Sequence, residues 1–517
     1  MKKNKILLFL FLLGSLTAFA QKKVEKWGTF ELTLHGPQGG NPFIGISLNA
    51  AFKHGNEVYK PEGFYDGSGD YKIRFMPDEE GEWTYITYSN LGTLNGIKGS
   101  FICTPPLTGD HGPLSVKNTY HFAYADSTRF IPFGTTIYQW CFQPDSLQQE
   151  TIQTLKHSPF NKVRFLIIPP YSKEYLKGPD KLNNFPFQRD SSGNWNLSRF
   201  NPVYFQNIEK CIKELRSIGV QADVTLFNPY DKGWGFEKMN QPTARRFVKY
   251  VVARFAAYRN VWWSLANENS FIKWMTDKDW DNLFQLVEKE DPYHHLRSIH
   301  NAGRIYNYTL PWVTHVSLQY YNAVRVFGVT PLLRDIYKKP IVYDEINYEG
   351  NISSRWGQLT GKQMTYRFWV AYIGGGYATH GESFVNNPWI SIGGKLIGKS
   401  PARIAFLKKI VDEAPDLNPI DQYYIMNMAG EPGEYYLIYF GKEKPGDWKF
   451  ILPKKNLKDG MRFKADIIDT WNMTITPVNK VFEVKKLNNY QFADKDGKSI
   501  QLPDKLYMAL RIKRINK

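Results

Sequence analysis

Cysteine is scarce. Cys103, Cys141 and Cys211 are the three in 517 residues. They are odd in number and far apart in sequence, which excludes a disulfide framework, allows at most one bridge, and offers no metal-ligand spacing. His-x-x-x-His is absent, His294 and His295 are adjacent and so face apart on any strand, and no calcium-loop spacing occurs. There is no Gly-x-Ser-x-Gly elbow and no phosphate loop. The expectation is therefore a catalytic machinery with no metal and no cofactor. Long apolar runs are lacking as well. Ile6 to Leu13 is too short to span a bilayer, and nothing later is longer. That run follows the basic Met1-Lys2-Lys3-Asn4-Lys5 and precedes Ala18-Phe19-Ala20, a small-x-small cleavage pattern. Residues 1–20 read as a signal peptide, and no cysteine follows to carry a lipid. The mature chain is expected to be secreted or periplasmic, with no membrane span.

Basic and aromatic residues are plentiful. The formal net charge is +17, and losing Lys2, Lys3 and Lys5 with the leader leaves +14. These charges are scattered and match no nucleic-acid motif, so nucleic acid is not the expected partner. An anionic polysaccharide or cell surface suits the balance in an exported protein, with plain solubility as the alternative. Aromatics make up 16% of the chain, including 15 Trp and 32 Tyr. Rings in that number fill cores and also suit stacking on sugar faces.

The chain is too long for one core. Residues 24–106 alternate in the strand period, as in Thr29-Phe30-Glu31-Leu32-Thr33-Leu34 and Trp83-Thr84-Tyr85-Ile86-Thr87, with Gly and Pro punctuation between. This reads as an N-terminal β-sandwich. A Pro-rich linker separates it from residues 113–415, where strands alternate with helical patterns. At that length the pattern predicts a (β/α)8 barrel, an α/β fold built on a parallel sheet. Its strands are expected at 131–138, 163–168, 221–227, 261–265, 296–300, 316–320, 341–343 and 376–380, and helices at 203–218, 242–258, 278–290 and 362–373. The stretch 169–197, rich in Pro, Gly, Asp and aromatics, is expected to overhang the site as a specificity loop. Short alternating strands return over 420–517, a C-terminal β-sandwich.

Two of the expected barrel strands end on glutamate. Val261-Trp262-Trp263-Ser264-Leu265-Ala266 runs into Asn267-Glu268-Asn269, and Pro340-Ile341-Val342-Tyr343 into Asp344-Glu345. Unbroken apolar runs of this length suit strands buried on both faces. Their last residues then emerge at the carboxyl end of the barrel, where such folds place their chemistry. Two carboxyls there are the minimum equipment for glycoside hydrolysis.

These segments resemble the clan A glycoside hydrolases, in which the Asn-Glu ending the fourth strand carries the acid/base and the seventh strand carries the nucleophile. Asn161-Lys162-Val163-Arg164 resembles the second-strand motif of family 5. Ser198 to Phe205 (Ser-Arg-Phe-Asn-Pro-Val-Tyr-Phe) and His380-Gly381-Glu382-Ser383-Phe384 are similar to the apiosidase-like barrels related to family 5, which often carry flanking β-domains. The resemblance implies Glu268 as acid/base, Glu345 as nucleophile, Arg164 beneath the nucleophile, and Asn267 as a donor to a sugar hydroxyl. It further implies a tyrosine after strand six on the nucleophile, with Tyr320 favoured over Tyr321. Where family 5 has histidine after strand three, this chain has Phe227-Asn228-Pro229-Tyr230, so Asn228 occupies a subsite that departs from ordinary glucan specificity.

Three further positions stay open. His300 is either a structural histidine or a sugar contact. Glu382 either binds a sugar hydroxyl or replaces Glu345. Trp389 and Trp140 are either stacking platforms or core. The expected function is an exported, retaining glycoside hydrolase of plant or algal polysaccharide or its side chains. The alternatives are a catalytically silent carbohydrate-binding protein and a transglycosylase on the same scaffold.

Overall fold

The computed structural model describes residues 22–171, 184–420 and 426–515. The leader and the middle of the expected specificity loop, 172–183, lie outside these residues. The centre of the molecule is an eight-stranded parallel sheet. Its strands are β1 (Phe133–Thr136), β2 (Lys162–Leu166), β3 (Gln221–Phe227), β4 (Val261–Ala266), β5 (Arg297–Ser298), β6 (Val316–Leu318), β7 (Ile341–Tyr343) and β8 (Tyr377–His380). They run in the order 5-4-3-2-1-8-7-6, and a parallel bridge between His300 and Ser317 joins the two ends into a barrel.

The helices between them are α1 (Asp145–Lys156), α2 (Pro202–Ser217), α3 (Gln241–Phe255), α4 (Asp277–Glu290), α5 (Val329–Tyr337), α6 (Gly361–Ile373) and α7 (Ser400–Asp412). Four of these match the expected helices within a residue or three. Their starts are written locally. Asn240 caps α3 through Thr243 N–H ahead of Pro242, and Thr276 with Asp279 and Thr360 with Gln363 form capping boxes on α4 and α6. Three helices were not expected. In α1, Gln and Thr dilute the apolar face, while α5 is only nine residues long, with Pro331 in its first turn.

Below the barrel, three short antiparallel strands (Leu114–Lys117, His121–Tyr124 and Arg129–Phe130) cover the amino end. Phe122, tilted, and Phe130, edge-on, pack against Trp262 of β4 there. The amino-terminal β-sandwich pairs a five-stranded with a three-stranded sheet around Phe30, Phe52, Phe75, Trp83 and Phe101. It is locked to the barrel by buried charge. Arg74 donates to Glu209 of α2 at 2.6 and 3.0 Å, Arg254 of α3 donates to the same carboxylate at 2.8 Å, and Arg254 also pairs with Asp66 at 2.7 Å. A carboxyl-terminal β-sandwich, cored by Tyr436, Ile438, Phe450, Phe463, Phe482 and Leu510, flanks the other side. Cys141 and Cys211 are reduced, buried neighbours.

Candidate active site

Alternation along the strands decides which side chains meet inside the barrel. Lys162 and Arg164, two apart on β2, both point inward. Lys162 donates to Asp223 of β3 at 2.5 Å and to Asp344 at 2.8 Å. Asp344 also accepts from Ser317 at 2.6 Å and Thr379 at 2.9 Å. Burial would raise the Asp344 carboxyl, but Lys162 and Arg164 outweigh it and hold it well below the usual carboxylate range. This layer is a charged floor, and Glu345, the next residue, rises above it.

Glu268 and Glu345 stand together at the carboxyl end of the barrel, 7% and 4% exposed. Gln319, two residues past the inward-facing Ser317, donates its amide to both, at 2.8 Å to Glu268 Oε1 and 2.8 Å to Glu345 Oε2. Those two oxygens are therefore no more than 5.6 Å apart, twice the bond length. Tyr138, beyond β1, donates to Glu345 Oε1, and Tyr348 bonds the same carboxylate. Burial, with the Glu345 charge, pushes both phenols well above their ordinary range, so they remain donors. Tyr230 donates to Glu268 Oε2.

Arg164 lies beneath this group. It reaches Glu345 as an ion pair at 3.7 Å and donates to Tyr138 Oη at 2.8 Å and to Asn267 Oδ1 at 2.7 Å. Glu268 occupies the left-handed region (φ 47°, ψ 52°), which L-residues seldom adopt outside sites that need a side chain re-aimed. Burial, and then the facing Glu345, raise its pKa to about 7, against the Gln319 amide and Arg164, which pull it down.

The cleft around the pair holds about 350 Å³, toward the small end for a ligand pocket. Asn267, Tyr171, Tyr230, Tyr348 and Trp356 are among its walls, and no Lys or Arg is among the described lining residues. Several expectations are corrected. Tyr320 and Tyr321 do not line the cleft and do not reach Glu345, because the strand period turns Gln319 inward and Tyr320 out, 39% exposed. His300 is fully buried in the barrel wall, its ring nitrogens without hydrogen-bond partners. Burial and then Arg164 hold its pKa well below the ordinary value, so it is a neutral core imidazole and not a sugar contact.

Trp389 and Trp140 are core, not platforms: each is fully buried, Trp389 donating to Thr135 at 2.9 Å and Trp140 packing edge-on to Phe165. Glu382 is buried behind the wall, bonded to the backbone N–H groups of Ile397 and Gly398, and neither touches the cleft nor stands in for Glu345. Asn228 does not line the cleft either. It donates to Ile168 O and accepts from Tyr230 N–H, 2.9 Å each, which shapes the turn carrying Tyr230. Tyr138, Tyr230, Tyr348, Gln319 and Trp356 were not among the expected site residues, although the period of two from Thr136 and Ser317 marks Tyr138 and Gln319 as inward.

A family model described as the apiosidase-like catalytic domain matches residues 116–387, just over half of the chain and all eight barrel strands. The chain belongs to the apiosidase-like family. Its flanking modules match two models described only as domains of unknown function, DUF5060 over 23–90 and DUF5605 over 424–513. Among solved structures, a provisionally named glycoside hydrolase from Bacteroides vulgatus ATCC 8482 is 40% identical, with a TM-score of 0.91 over 96% of this chain and 100% of that one. A family 5 glycoside hydrolase from the same organism is 13% identical, with a TM-score of 0.53 over 78% of this chain and 93% of that one. At that identity it shares the fold alone with this apiosidase-like barrel. No curated protein matches the chain.

Proposed function

We propose that this apiosidase-like chain is an exported, retaining glycoside hydrolase that acts on plant or algal polysaccharide or its side chains. One observation carries the reading: a single Gln319 amide spans Glu268 and Glu345, keeping the bonded oxygens within 5.6 Å. Retaining enzymes hold their carboxyls about 5–5.5 Å apart, whereas inverting ones need roughly 6.5–9.5 Å to admit a water. The family name and the name of the 40% identical structure support the same reaction class.

In this mechanism Glu345 is the nucleophile. Tyr138, Gln319 and Tyr348 aim three donors at its oxygens, an arrangement suited to an acceptor with no proton of its own. Its oxygen bonds to the anomeric carbon as the glycosidic bond breaks. Glu268, with a pKa of about 7, gives its proton to the departing oxygen. It then takes a proton from water, whose oxygen replaces Glu345 on the sugar. Asn267 Oδ1 accepts from Arg164, which leaves its amide hydrogens for a sugar hydroxyl.

The test is a panel of aryl furanosides and pyranosides, with product configuration read by NMR at early times. Net retention on at least one substrate supports the reading, and an inverted product overturns it. Silence across the panel together with sugar binding would make the chain a binding protein. Transfer to added sugar in preference to water would make it a transglycosylase. Export is tested by the N-terminus of the mature protein, expected at Gln21.

A further inference from the structure

Behind the cleft wall, on the outer side of the barrel, three ligating side chains converge. Glu349 follows β7, His380 ends β8, and Glu382 lies just beyond it. They are 4%, 0% and 0% exposed. Glu349–Gly350 and Glu382–Ser383 run side by side as a parallel pair. Four successive backbone N–H groups face the two acids. Ile397 and Gly398 donate to Glu382 Oε2 at 2.9 and 3.0 Å, and Lys399 and Ser400 donate to the two oxygens of Glu349 at 2.7 and 2.9 Å.

Two atoms stand apart from this satisfied set. Glu382 Oε1 and His380 Nε2 are buried without a hydrogen-bond partner. They lie 3.5 Å apart, beyond the usual N–H···O range. One donor atom from each of Glu349, His380 and Glu382 falls within 4.8 Å of the others. Among the described residues, no Lys or Arg ion-pairs with either acid. A buried carboxylate pair without a cation is costly.

We propose that Glu349, His380 and Glu382 bind one divalent first-row transition ion of the Zn²⁺ type. Around a tetrahedral ion with bonds of about 2.1 Å, neighbouring ligands sit about 3.4 Å apart, close to the Glu382–His380 separation. Imidazole with two carboxylates suits such an ion, whereas Ca²⁺ and Mg²⁺ prefer all-oxygen shells. Ligation by Nε2 requires Nδ1 to carry the proton. Nδ1 lies 3.3 Å from Thr135 Oγ1, which can accept it alongside the Trp389 indole. The ion does not touch substrate. It ties the segments after β7 and β8 to the turn before α7, and so braces Tyr348, which bonds Glu345, and Ser383, which lines the cleft.

The test uses the full-length mature protein, stripped with a chelator and titrated with Zn²⁺ by calorimetry and thermal melting. One ion per chain is expected, with Tm raised by a few degrees at saturating Zn²⁺. Glu382→Gln and His380→Ala are each expected to lose both responses. Stripped wild-type protein that takes up no stoichiometric Zn²⁺ and melts unchanged would overturn the site and leave a His380–Glu382 ion pair in its place. Should the variants fail to fold, the wild-type titration alone decides. Full Zn²⁺ uptake by a folded Glu382→Gln variant would also overturn it.

Discussion

The Asn267 carbonyl oxygen accepts from the Arg164 guanidinium at 2.7 Å, and this bond sets which end of the amide faces the cleft. Arg164 places Tyr138 in the same way. Lysine brings a single point charge and cannot serve both partners with one planar fork. Arg164→Lys is expected to lower kcat/KM by roughly 10- to 100-fold, the loss of one charge-assisted bond of about 1.5–3 kcal/mol. Steady-state kinetics on an aryl glycoside check this, alongside circular dichroism to confirm folding.

Glu268 predicts a pH profile. Its pKa of about 7 lies above that of a free glutamate, so the protonated acid persists to neutrality and is lost as pH rises through that value. Turnover of substrates with poor leaving groups should fall above pH about 7. The Gln319 amide pulls this pKa down, so Gln319→Ala should move the basic limb upward. Stability carries the same sign: the contribution from protonated Glu268 is fully present below the unfolded pKa of about 4.3 and is lost as pH rises through about 7. Glu268→Gln should therefore raise Tm more at pH 8 than at pH 5. A pH-independent Tm difference would contradict the assignment.

Both glutamates and the barrel order were legible because buried parallel strands are continuous apolar runs whose ends are easily seen. Arg164 was legible through its motif. The rest of the constellation was less so, for physical reasons. Tyr138 continues the alternation from Thr136, whereas Tyr348 comes from the loop past β7, where no period applies. Gln319 could have been read from alternation, but the family pattern drew attention to the tyrosine beside it. His300, Trp140 and Glu382 sit at or near strand ends and Trp389 opens a short helix past β8, yet all four are buried away from the cleft. Which side of a barrel wall a residue takes depends on register, and register is a property of strand pairing.

The sandwich and the barrel are joined through Glu209, which holds Arg74 and Arg254 at once, all three nearly inaccessible. Removing the acid takes one carboxylate from each of two buried guanidinium groups, leaving Arg74 with Glu31 and Arg254 with Asp66. Glu209→Ala is expected to cost about 3–5 kcal/mol in urea unfolding, with the active site's kinetics at low temperature little changed.

The described cleft wall carries no Lys or Arg, so the basic excess is not concentrated against the reacting sugar. Turnover of a neutral aryl glycoside should stay flat as added salt shortens the Debye length from about 30 Å to about 8 Å. A fall in kcat/KM with salt for an anionic polymer alone would place the charge effect outside this pocket.

The two glutamates should fail differently when replaced. Glu345→Gln removes the only atom that can bond to the anomeric carbon, and turnover should vanish for every substrate, whatever its leaving group. Glu268→Gln removes a proton, so a glycoside whose leaving group needs none should still form the glycosyl-enzyme. That intermediate should then accumulate, because no base remains to activate water, and mass spectrometry should find a single sugar on Glu345. Azide needs no base. Added azide should restore turnover in Glu268→Gln and give a glycosyl azide of retained configuration. The discriminating result is the behaviour of the second variant. If azide instead rescues Glu345→Gln with a product of retained configuration, the two roles are exchanged and Glu268 is the nucleophile.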